Sequence, residues 1–312
     1  MKASKDHAFG GRSTDLKLSL VEGYLNAFTL ALNGKYQLWY IDAFAGTGER
    51  TVHHAAADGN LLEESSEARI ERLRGSARIA LEVDPPFDRL IFVDNKRSHV
   101  QALEDLALEY PERNVTVLRG DANKMIVQAI KSQDWSGVRA VMFLDPYGMH
   151  VEWDTLREIQ STRAIDVWYL VSLAGLFRQA AKNHNSLSGQ KRNAINRMLG
   201  TNDWEKEWYS PKRHGTLFEF FDEDYQAEIL STESSHSRTA NVEDIESFVL
   251  SRLKGLFPSV LKPLRLRNSG GVSMFSLFFS VSNPDPLAIG LATRIANHML
   301  KAGNSSQVRS RK

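Results

Sequence analysis

The stretch Leu38-Trp-Tyr-Ile-Asp-Ala-Phe-Ala-Gly-Thr-Gly48 decides the fold prediction for this chain. Its first four residues form a short apolar run, which is typical of a strand buried on both faces. Asp42 ends the run with a carboxylate, and Gly46 and Gly48 allow the backbone to turn sharply and a ligand to approach it. Open α/β sheets bind nucleotide-like ligands at the carboxyl ends of their strands, so the stretch predicts such a site. On this stretch alone, a βα turn without a ligand is an equally good interpretation.

The chain has 312 residues, a formal net charge of +1 and no cysteine. This length allows one large domain or two small ones. The near-neutral charge gives no global sign of nucleic-acid binding, and the lack of cysteine excludes disulfides, thiolate catalysis and Cys-ligated metals. The N-terminus has no apolar signal core, and no apolar run reaches about 20 residues. We therefore expect a cytoplasmic protein without membrane association.

Strands and helices alternate on both sides of the opening stretch. An amphipathic helix is predicted from Thr14 to Gly34, and Lys17 near its start is interpreted as solvent-exposed, although it could reach a ligand. Five apolar runs separated by helical patterns are predicted as strands: Tyr36–Ile41, Arg89–Asp94, Val115–Arg119, Ala140–Leu144 and Ile165–Ser172. This alternation predicts right-handed crossovers and an α/β fold with a Rossmann-like, doubly wound, mostly parallel sheet.

Four aspartates, Asp42, Asp94, Asp121 and Asp145, directly follow four of these strands. Because parallel strands place their carboxyl ends at one edge of the sheet, all four are expected to line the same edge. Aspartate is common in βα turns, where it caps helices, so one or two such acids would carry little information. Four at successive strand ends favour a binding site.

The common phosphate-binding motifs are absent from this edge. The third glycine of Gly-x-Gly-x-x-Gly is absent after Gly48, and there is no Gly-Lys-Ser/Thr phosphate loop. Acids without a phosphate cradle suit a ligand that presents hydroxyls and an amino group, because carboxylates accept hydrogen bonds strongly. S-adenosylmethionine is such a ligand.

Several motifs resemble those of the class I S-adenosylmethionine-dependent methyltransferases and, more narrowly, of the three-Cys-motif partner (TcmP) family. They are Tyr40–Gly48, Gly75-Ser76 before a predicted helix, Ile91–Asp94, Gly120-Asp121 and Phe143–Gly148. The resemblance covers residues 14–170 well and a C-terminal hairpin loosely. It implies S-adenosylmethionine as cofactor and a protein partner that carries a three-cysteine motif.

The resemblance also implies roles for individual residues of the site. The loop around the methionine part of the cofactor would comprise Asp42, Phe44, Ala45, Gly46 and Gly48. Asp94 would bind the ribose, Asp121 and Ala122 would face the adenine, and the catalytic motif of amino-methyltransferases would be Asp145, Pro146 and Tyr147.

In that motif the Asp145 carboxylate and the Pro146 carbonyl would accept the N–H groups of an amine, and Tyr147 would stack on a base. The usual motif has two prolines before the aromatic residue and this chain has one, which leaves the target amine open. Asp84-Pro-Pro-Phe87 matches the motif literally. It precedes a strand, so we expect it at the opposite, amino edge of the sheet.

The segments outside the predicted sheet have less specific patterns. Residues 49–74 are predicted to be an insertion with a charged, helical second half, Leu61–Leu73. In it, His53, His54 and Asp58 are interpreted as a solvated loop rather than a metal site. Domains are predicted at 14–172 for the cofactor-binding core, 173–246 for a helical insertion, and 247–301 for a C-terminal hairpin and helix. That hairpin could complete the sheet, which we favour, or form the wing of a winged helix.

The helical insertion has a basic part that contains Trp204, Trp208 and Tyr209. These aromatic residues could stack on nucleic-acid bases, or they could form a small core of the insertion itself. The leading hypothesis is a methyltransferase that methylates a nitrogen of a nucleic-acid base. The alternatives are a non-catalytic or weakly catalytic methyltransferase fold that acts through a partner protein and, third, a methyltransferase that acts on protein.

Overall fold

Strands and helices alternate along the part of the chain that the computed structural model describes, which is residues 12–54, 69–211, 236–267 and 271–309. The elements up to the fifth helix are α1 (Arg12–Leu32), β1 (Gln37–Asp42), β2 (Glu49–His54), β3 (Arg69–Arg74), α2 (Ser76–Glu82), β4 (Arg89–Asp94), α3 (Arg97–Leu108), β5 (Val115–Arg119), α4 (Ala122–Lys131), β6 (Val138–Leu144) and α5 (Trp153–Ser161). They are followed by β7 (Ile165–Val171), α6 (Leu173–Gln179), a 3₁₀ turn (His184–Ser186), α7 (Gly189–Leu199), α8 (Trp204–Trp208), β8 (Tyr209–Pro211), β9 (His236–Arg238), α9 (Val242–Lys254), β10 (Ser259–Val260), β11 (Leu264–Arg267), β12 (Ser273–Val281) and α10 (Pro286–Arg309).

One mostly parallel sheet forms the centre of the fold. Among the described residues it has eight strands in the order β10–β12–β7–β6–β1–β4–β5, with β11 also paired to β12. Strands β5, β4, β1, β6 and β7 run parallel, and β12 is antiparallel to β7. This order, in which β12 is antiparallel to its neighbour β7, is that of a doubly wound, mostly parallel sheet. The predicted fold class is therefore confirmed.

The two faces of the sheet are covered by different helices. Along β1, Leu38 and Tyr40 belong to the core that α1, α2, α3 and α10 cover. Trp39 and Ile41 belong to the core covered by α4 to α9. Residues alternate between the faces of a strand, so a run that is apolar at every position requires helices on both sides.

The predicted strands are present to within one or two residues at each end, but two helical predictions need correction. Helix α1 begins at Arg12, two residues before the predicted start at Thr14. The end of the segment predicted as helical, 69–73, is instead part of strand β3, which pairs antiparallel with β2. Residues 55–68 of the predicted insertion, which include Asp58, lie outside the described residues, as do the side chains of His53 and His54.

Three aromatic residues of the helical insertion, Trp204, Trp208 and Tyr209, are buried. Trp204 and Trp208 are 0% and 1% exposed and pack in the same core as the sheet residues Trp39 and Ile41. The Tyr209 hydroxyl donates to the Ala181 carbonyl. These rings cannot stack on a base, and they belong to the core of the sheet rather than to a separate small core of the insertion.

The C-terminal hairpin belongs to the sheet. Strand β12 pairs with β7 from Ser276–Val171 to Val281–Asp166, and β11 pairs with β12 on the other side. The turn between β11 and β12 includes 268–270, which lie outside the described residues. Among the helices of the described residues, none is both long and apolar enough to cross a membrane.

Candidate functional site

Three of the four strand-end aspartates meet around the end of β1. Asp42 is level with Phe92 of β4 on one side and with Phe143 of β6 on the other. Asp94 and Asp145 therefore each lie two residues beyond Asp42, on the two strands that flank it. This follows from the parallel register, which places equal positions of neighbouring strands side by side.

The glycine loop after β1 is fixed onto the end of β4. The Gly46 amide donates to Asp94 Oδ2 over 3.1 Å, and the Ala45 amide donates to the Val93 carbonyl over 3.0 Å. Asp94 also accepts from the Lys96 amide at Oδ1 and lies 3.1 Å from His99 Nδ1. A carboxylate can accept about four hydrogen bonds, so Asp94 retains capacity for a further donor.

The two glycines of the loop are required for different reasons. Gly48 has φ +74°, and an added Cβ would lie 2.5 Å from Leu106 Cδ2, so this residue closes the loop against α3. Gly46 has φ +61°, but an added Cβ would meet no atom within 4 Å. The backbone at Gly46 therefore faces open space, which is the condition for a ligand to lie against it.

Asp42 lies beneath the loop rather than on its surface. Its side chain is fully buried, and Oδ1 accepts from the Phe44 amide over 3.2 Å. Burial raises the pKa of Asp42 to about 7; the Phe44 hydrogen bond and the nearby Lys17 oppose this, whereas Asp145 adds to it. Asp42 is thus placed to hold the loop and to respond to charge at the site.

Lys17 of α1 forms an ion pair with Asp145, which makes its predicted solvent exposure wrong. Its residue is only 7% exposed, its Nζ bonds to Asp145 Oδ2, and it lies 5.7 Å from the centre of the Phe143 ring. The Asp145 side chain is 28% exposed, so one side of the carboxylate faces the outside. A buried ammonium is stable when it is paired, so the ion pair with Asp145 accounts for the burial of Lys17.

The two residues that follow Asp145 differ in accessibility. Pro146 is buried, whereas Tyr147 is 72% exposed and its ring lies 5.6 Å from Lys96 Nζ. A large exposed aromatic residue offers a flat face to an incoming ring. The loop after β6 thus combines a partly exposed carboxylate with an exposed aromatic side chain.

Asp121, Ala122 and Phe44 occupy more ordinary places. Asp121 is exposed and caps α4, because its Oδ1 accepts from the Lys124 amide over 3.1 Å. Ala122 is buried in the first turn of α4, and Phe44 is half-buried against the core. Asp121 therefore lies at the predicted edge, but the contact that it makes there is a helix cap.

The Asp84-Pro-Pro-Phe87 segment lies at the other edge of the sheet. It leads into the first residue of β4, and the following Asp88 accepts from the Leu38 amide near the start of β1. The literal match to the catalytic motif is therefore separated from Asp94 and Asp145 by the length of the strands. A cleft of about 630 Å³, lined by Arg139, Arg163 and neighbouring loops, also lies at this amino edge.

Sequence reasoning did not identify His99 and Asn123 as parts of the site. His99 contacts Asp94 from the first turn of α3. Asn123 joins two loops: its amide donates to the His150 carbonyl, and its Oδ1 accepts from the Glu152 amide and the Thr155 hydroxyl. The position of Asn123, directly after Asp121-Ala122, was the available signal, but its partners are about 30 positions away in the sequence.

No protein-family model matches this sequence, and neither does any curated protein. Among solved structures, the chain is similar to protein LPL1258 of Legionella pneumophila, of family DUF519, with 13% identity, 91% of each chain covered and a TM-score of 0.43. It is also similar to a conserved hypothetical protein of Streptococcus pyogenes, with 15% identity, 47% of this chain and 76% of that chain covered, and a TM-score of 0.29. A third similarity is to YcgJ of Bacillus subtilis, with 12% identity, 83% and 95% coverage and a TM-score of 0.29. These TM-scores are below 0.5 and carry no argument about function.

The residues at this edge fit an adenosyl sulfonium ligand better than a phosphorylated one. Beside the glycine loop lie the Asp94 carboxylate, whose side chain is 10% exposed, and the open backbone at Gly46, and the described residues contain no cluster of three metal-ligating side chains. Carboxylates accept from hydroxyl and ammonium groups and repel phosphates. These groups therefore fit S-adenosylmethionine.

Proposed function

We propose that this protein is an S-adenosylmethionine-dependent methyltransferase that methylates a nitrogen of a nucleic-acid base. The observation that supports this most is the arrangement of two strand ends around β1. On one side Asp94 holds the glycine loop, and on the other Lys17 holds Asp145 beside the exposed Tyr147. A cofactor position and an acceptor for a substrate amine are thereby brought to one edge.

Each part of the chain has a separate task in this proposal. Asp94 would hold the ribose hydroxyls, and the loop from Asp42 to Gly48 would lie along the methionine part. The bound cofactor supplies a methyl group that its sulfonium has already activated. The protein then mainly has to orient a nitrogen lone pair and exclude competing geometries.

Asp145 is the residue that would orient the amine. Lys17 holds its side chain in place, and a carboxylate can accept an N–H of an exocyclic amine without removing the proton. This bond and one to the Pro146 carbonyl would reduce conjugation of the nitrogen with its ring. Tyr147 would support the ring face, as in enzymes that act on unstacked bases.

Isothermal titration with S-adenosylhomocysteine tests the cofactor assignment. We expect the wild type to bind and Asp94→Ala to bind at least about tenfold more weakly, a loss of about 1.4 kcal/mol. Asp105→Ala, which removes an exposed carboxylate from α3, is the matched control and should bind like the wild type. Absence of binding by the wild type would refute the proposal.

Radiolabel transfer from S-adenosylmethionine to nucleic acid tests catalysis. We expect the wild type to transfer label to RNA or DNA, and we expect Asp145→Ala to abolish this transfer.

A second candidate is a non-catalytic fold that works through a protein partner such as a three-Cys-motif protein. It is favoured by the single proline of the motif and by the ion pair that already engages Asp145. Tight cofactor binding without transfer would support that candidate, and label in protein alone would indicate a protein substrate.

A further inference from the structure

Four exposed cations lie at the carboxyl ends of β4 and β5, to one side of the loop Asp145–Gly148 after β6, which is the catalytic loop of the proposed function. We call them the basic rim: Lys96 and Arg97 after β4, Arg119 at the end of β5, and Lys124 in the first turn of α4. Arg119 is level with Asp94 in the sheet, and the Gly120 amide donates to the Asp94 carbonyl over 3.1 Å. The parallel register thus brings both pairs of cations to one place.

The side chains of the basic rim make no ion pair with any described residue. Among the acids at this edge, Asp145 pairs with Lys17, whereas Asp94, which accepts from two neutral backbone amides, offsets one positive charge of the rim. Asp121 is exposed and offsets one positive charge while it caps α4. In a chain with a net charge of only +1, this edge therefore keeps a local positive excess.

The basic rim is held in a fixed position relative to the catalytic loop. Asn123, next to Lys124, bonds to the His150 carbonyl and the Glu152 amide in the segment that follows Tyr147. On the other side the Lys96 amide bonds to Asp94, and Lys96 Nζ lies 5.6 Å from the Tyr147 ring. These bonds fix the spacing between the cations and the exposed aromatic face.

We propose that the basic rim binds the phosphates of a single-stranded nucleic acid while one of its bases lies against Tyr147. This rests on the proposed function and specifies the substrate class of the same site. Cations that follow a backbone beside an aromatic face are the combination with which proteins hold unpaired strands. An acidic peptide would satisfy the charges but would leave the 72% exposed ring of Tyr147 without a stacking partner.

The test compares two variants that lose the same charge at different places. The rim variant carries Lys96→Gln, Arg97→Gln, Arg119→Gln and Lys124→Gln. The control variant carries Lys254→Gln, Lys262→Gln, Arg294→Gln and Lys301→Gln, which replace exposed cations of α9, α10 and the β10–β11 connection that make no ion pair with described residues. Binding to fluorescein-labelled 12-nucleotide RNA and DNA is measured by anisotropy from 50 to 200 mM NaCl.

We expect the rim variant to bind at least about tenfold more weakly at 100 mM salt and the control variant to stay within about threefold. The slope of log affinity against log salt should fall by about 0.7 for each phosphate that the protein no longer neutralises, or about 2 to 3 in total. Tyr147→Ala should weaken binding by about tenfold without changing the salt slope.

Several outcomes would overturn the inference. They are equal reductions of affinity in the rim and control variants, an unchanged salt slope in the rim variant, absence of nucleic-acid binding by the wild type, and equal competition by polyglutamate. S-adenosylhomocysteine titration of the same proteins separates this inference from the proposed function. Unchanged cofactor affinity in the rim variant, together with unchanged nucleic-acid binding, would contradict the rim and leave the cofactor assignment intact.

Discussion

At the scale of single residues, the pair Lys17–Asp145 decides what the site can do. An isolated ammonium that is 7% exposed would be costly, because burial removes its hydration. Asp145 offsets that cost, and its partial exposure leaves part of the carboxylate available. The pair thus holds the Asp145 carboxylate at the site with part of it open to a ligand.

Lys17→Met should lower the rate of methyl transfer by about 10- to 100-fold, or roughly 1.4–2.7 kcal/mol, because Asp145 loses the cation that orients it. Asp145→Asn should have a similar or larger effect. The double variant should be no worse than Asp145→Asn, because residues that act as a unit are not additive. S-adenosylhomocysteine affinity is expected to stay within about threefold.

Lys35→Met, at an exposed lysine just after α1, is the control and should keep full activity. Additive effects in the double variant would show that Lys17 acts independently of Asp145.

At the scale of elements, α1 is anchored on the sheet by a buried polar contact that sequence reasoning did not find. The Tyr24 hydroxyl donates to Asp166 Oδ2 over 2.6 Å, and both residues are buried. Burial raises the pKa of Asp166 from 3.8 to about 7, against the opposing effects of the Tyr24 bond and of Arg139. Because α1 also carries Lys17, this contact helps to place that residue at the site.

The raised pKa of Asp166 predicts how stability depends on pH. Between pH 3.8 and about 7 the folded protein keeps a proton that the unfolded chain releases. The stabilisation that Asp166 gives the folded protein is therefore fully present below pH 3.8. It decreases as the pH rises from 3.8 to about 7, and it does not change further above about pH 7. Asp166→Asn cannot ionise but still accepts from Tyr24, so it should be roughly 1–3 kcal/mol more stable than the wild type at pH 8.

Urea unfolding at several pH values measures this effect. Asp42 also has a pKa raised to about 7 and contributes in the same direction, so the variant should keep part of the slope. Asp105→Asn on the surface of α3 should leave the slope unchanged. A variant Asp166→Asn that is less stable than the wild type at pH 8 would contradict the assignment.

At the scale of the whole molecule, residues 173–211 and 236–246 share their core with the sheet. Trp204 lies 5.1 Å from Trp208 between ring centres, and Trp208 lies 5.5 Å from Phe248 of α9. Gly200, with φ +65°, packs so closely on Trp153 of α5 that an added Cβ would lie 2.1 Å from its ring. We therefore expect the predicted insertion and the sheet to unfold together.

Trp204→Ala should lower the free energy of unfolding by about 3–5 kcal/mol, the usual cost of truncating a buried tryptophan. We expect one cooperative transition. The far-UV circular dichroism signal, the near-UV signal and cofactor binding should all be lost at the same denaturant midpoint. Lys206→Ala, at an exposed neighbour, should change stability by less than about 0.5 kcal/mol. Two separate transitions, of which Trp204→Ala moves one, would indicate an independent domain.

The local pattern was enough to predict the strands and the edge of the site. Arg89–Asp94 and Val115–Arg119 are strands with the predicted bounds, because each is a short, mostly apolar run between helical patterns. The meeting of Asp42, Asp94 and Asp145 followed from parallel register alone. These features depend on neighbours along the chain and on the geometry common to all parallel sheets.

The sequence by itself therefore determined the alternation of the five parallel strands with helices, the doubly wound sheet and the strand-end acids. Only the tertiary structure decided that Lys17 is buried against Asp145, that Trp204 belongs to the core, and that Asn123 joins two loops. The spacing of residues on a helix shows which of them share a face but not what that face meets. The partners of these three residues are brought to them by the packing of distant elements, and the energy of a buried polar group depends on those partners.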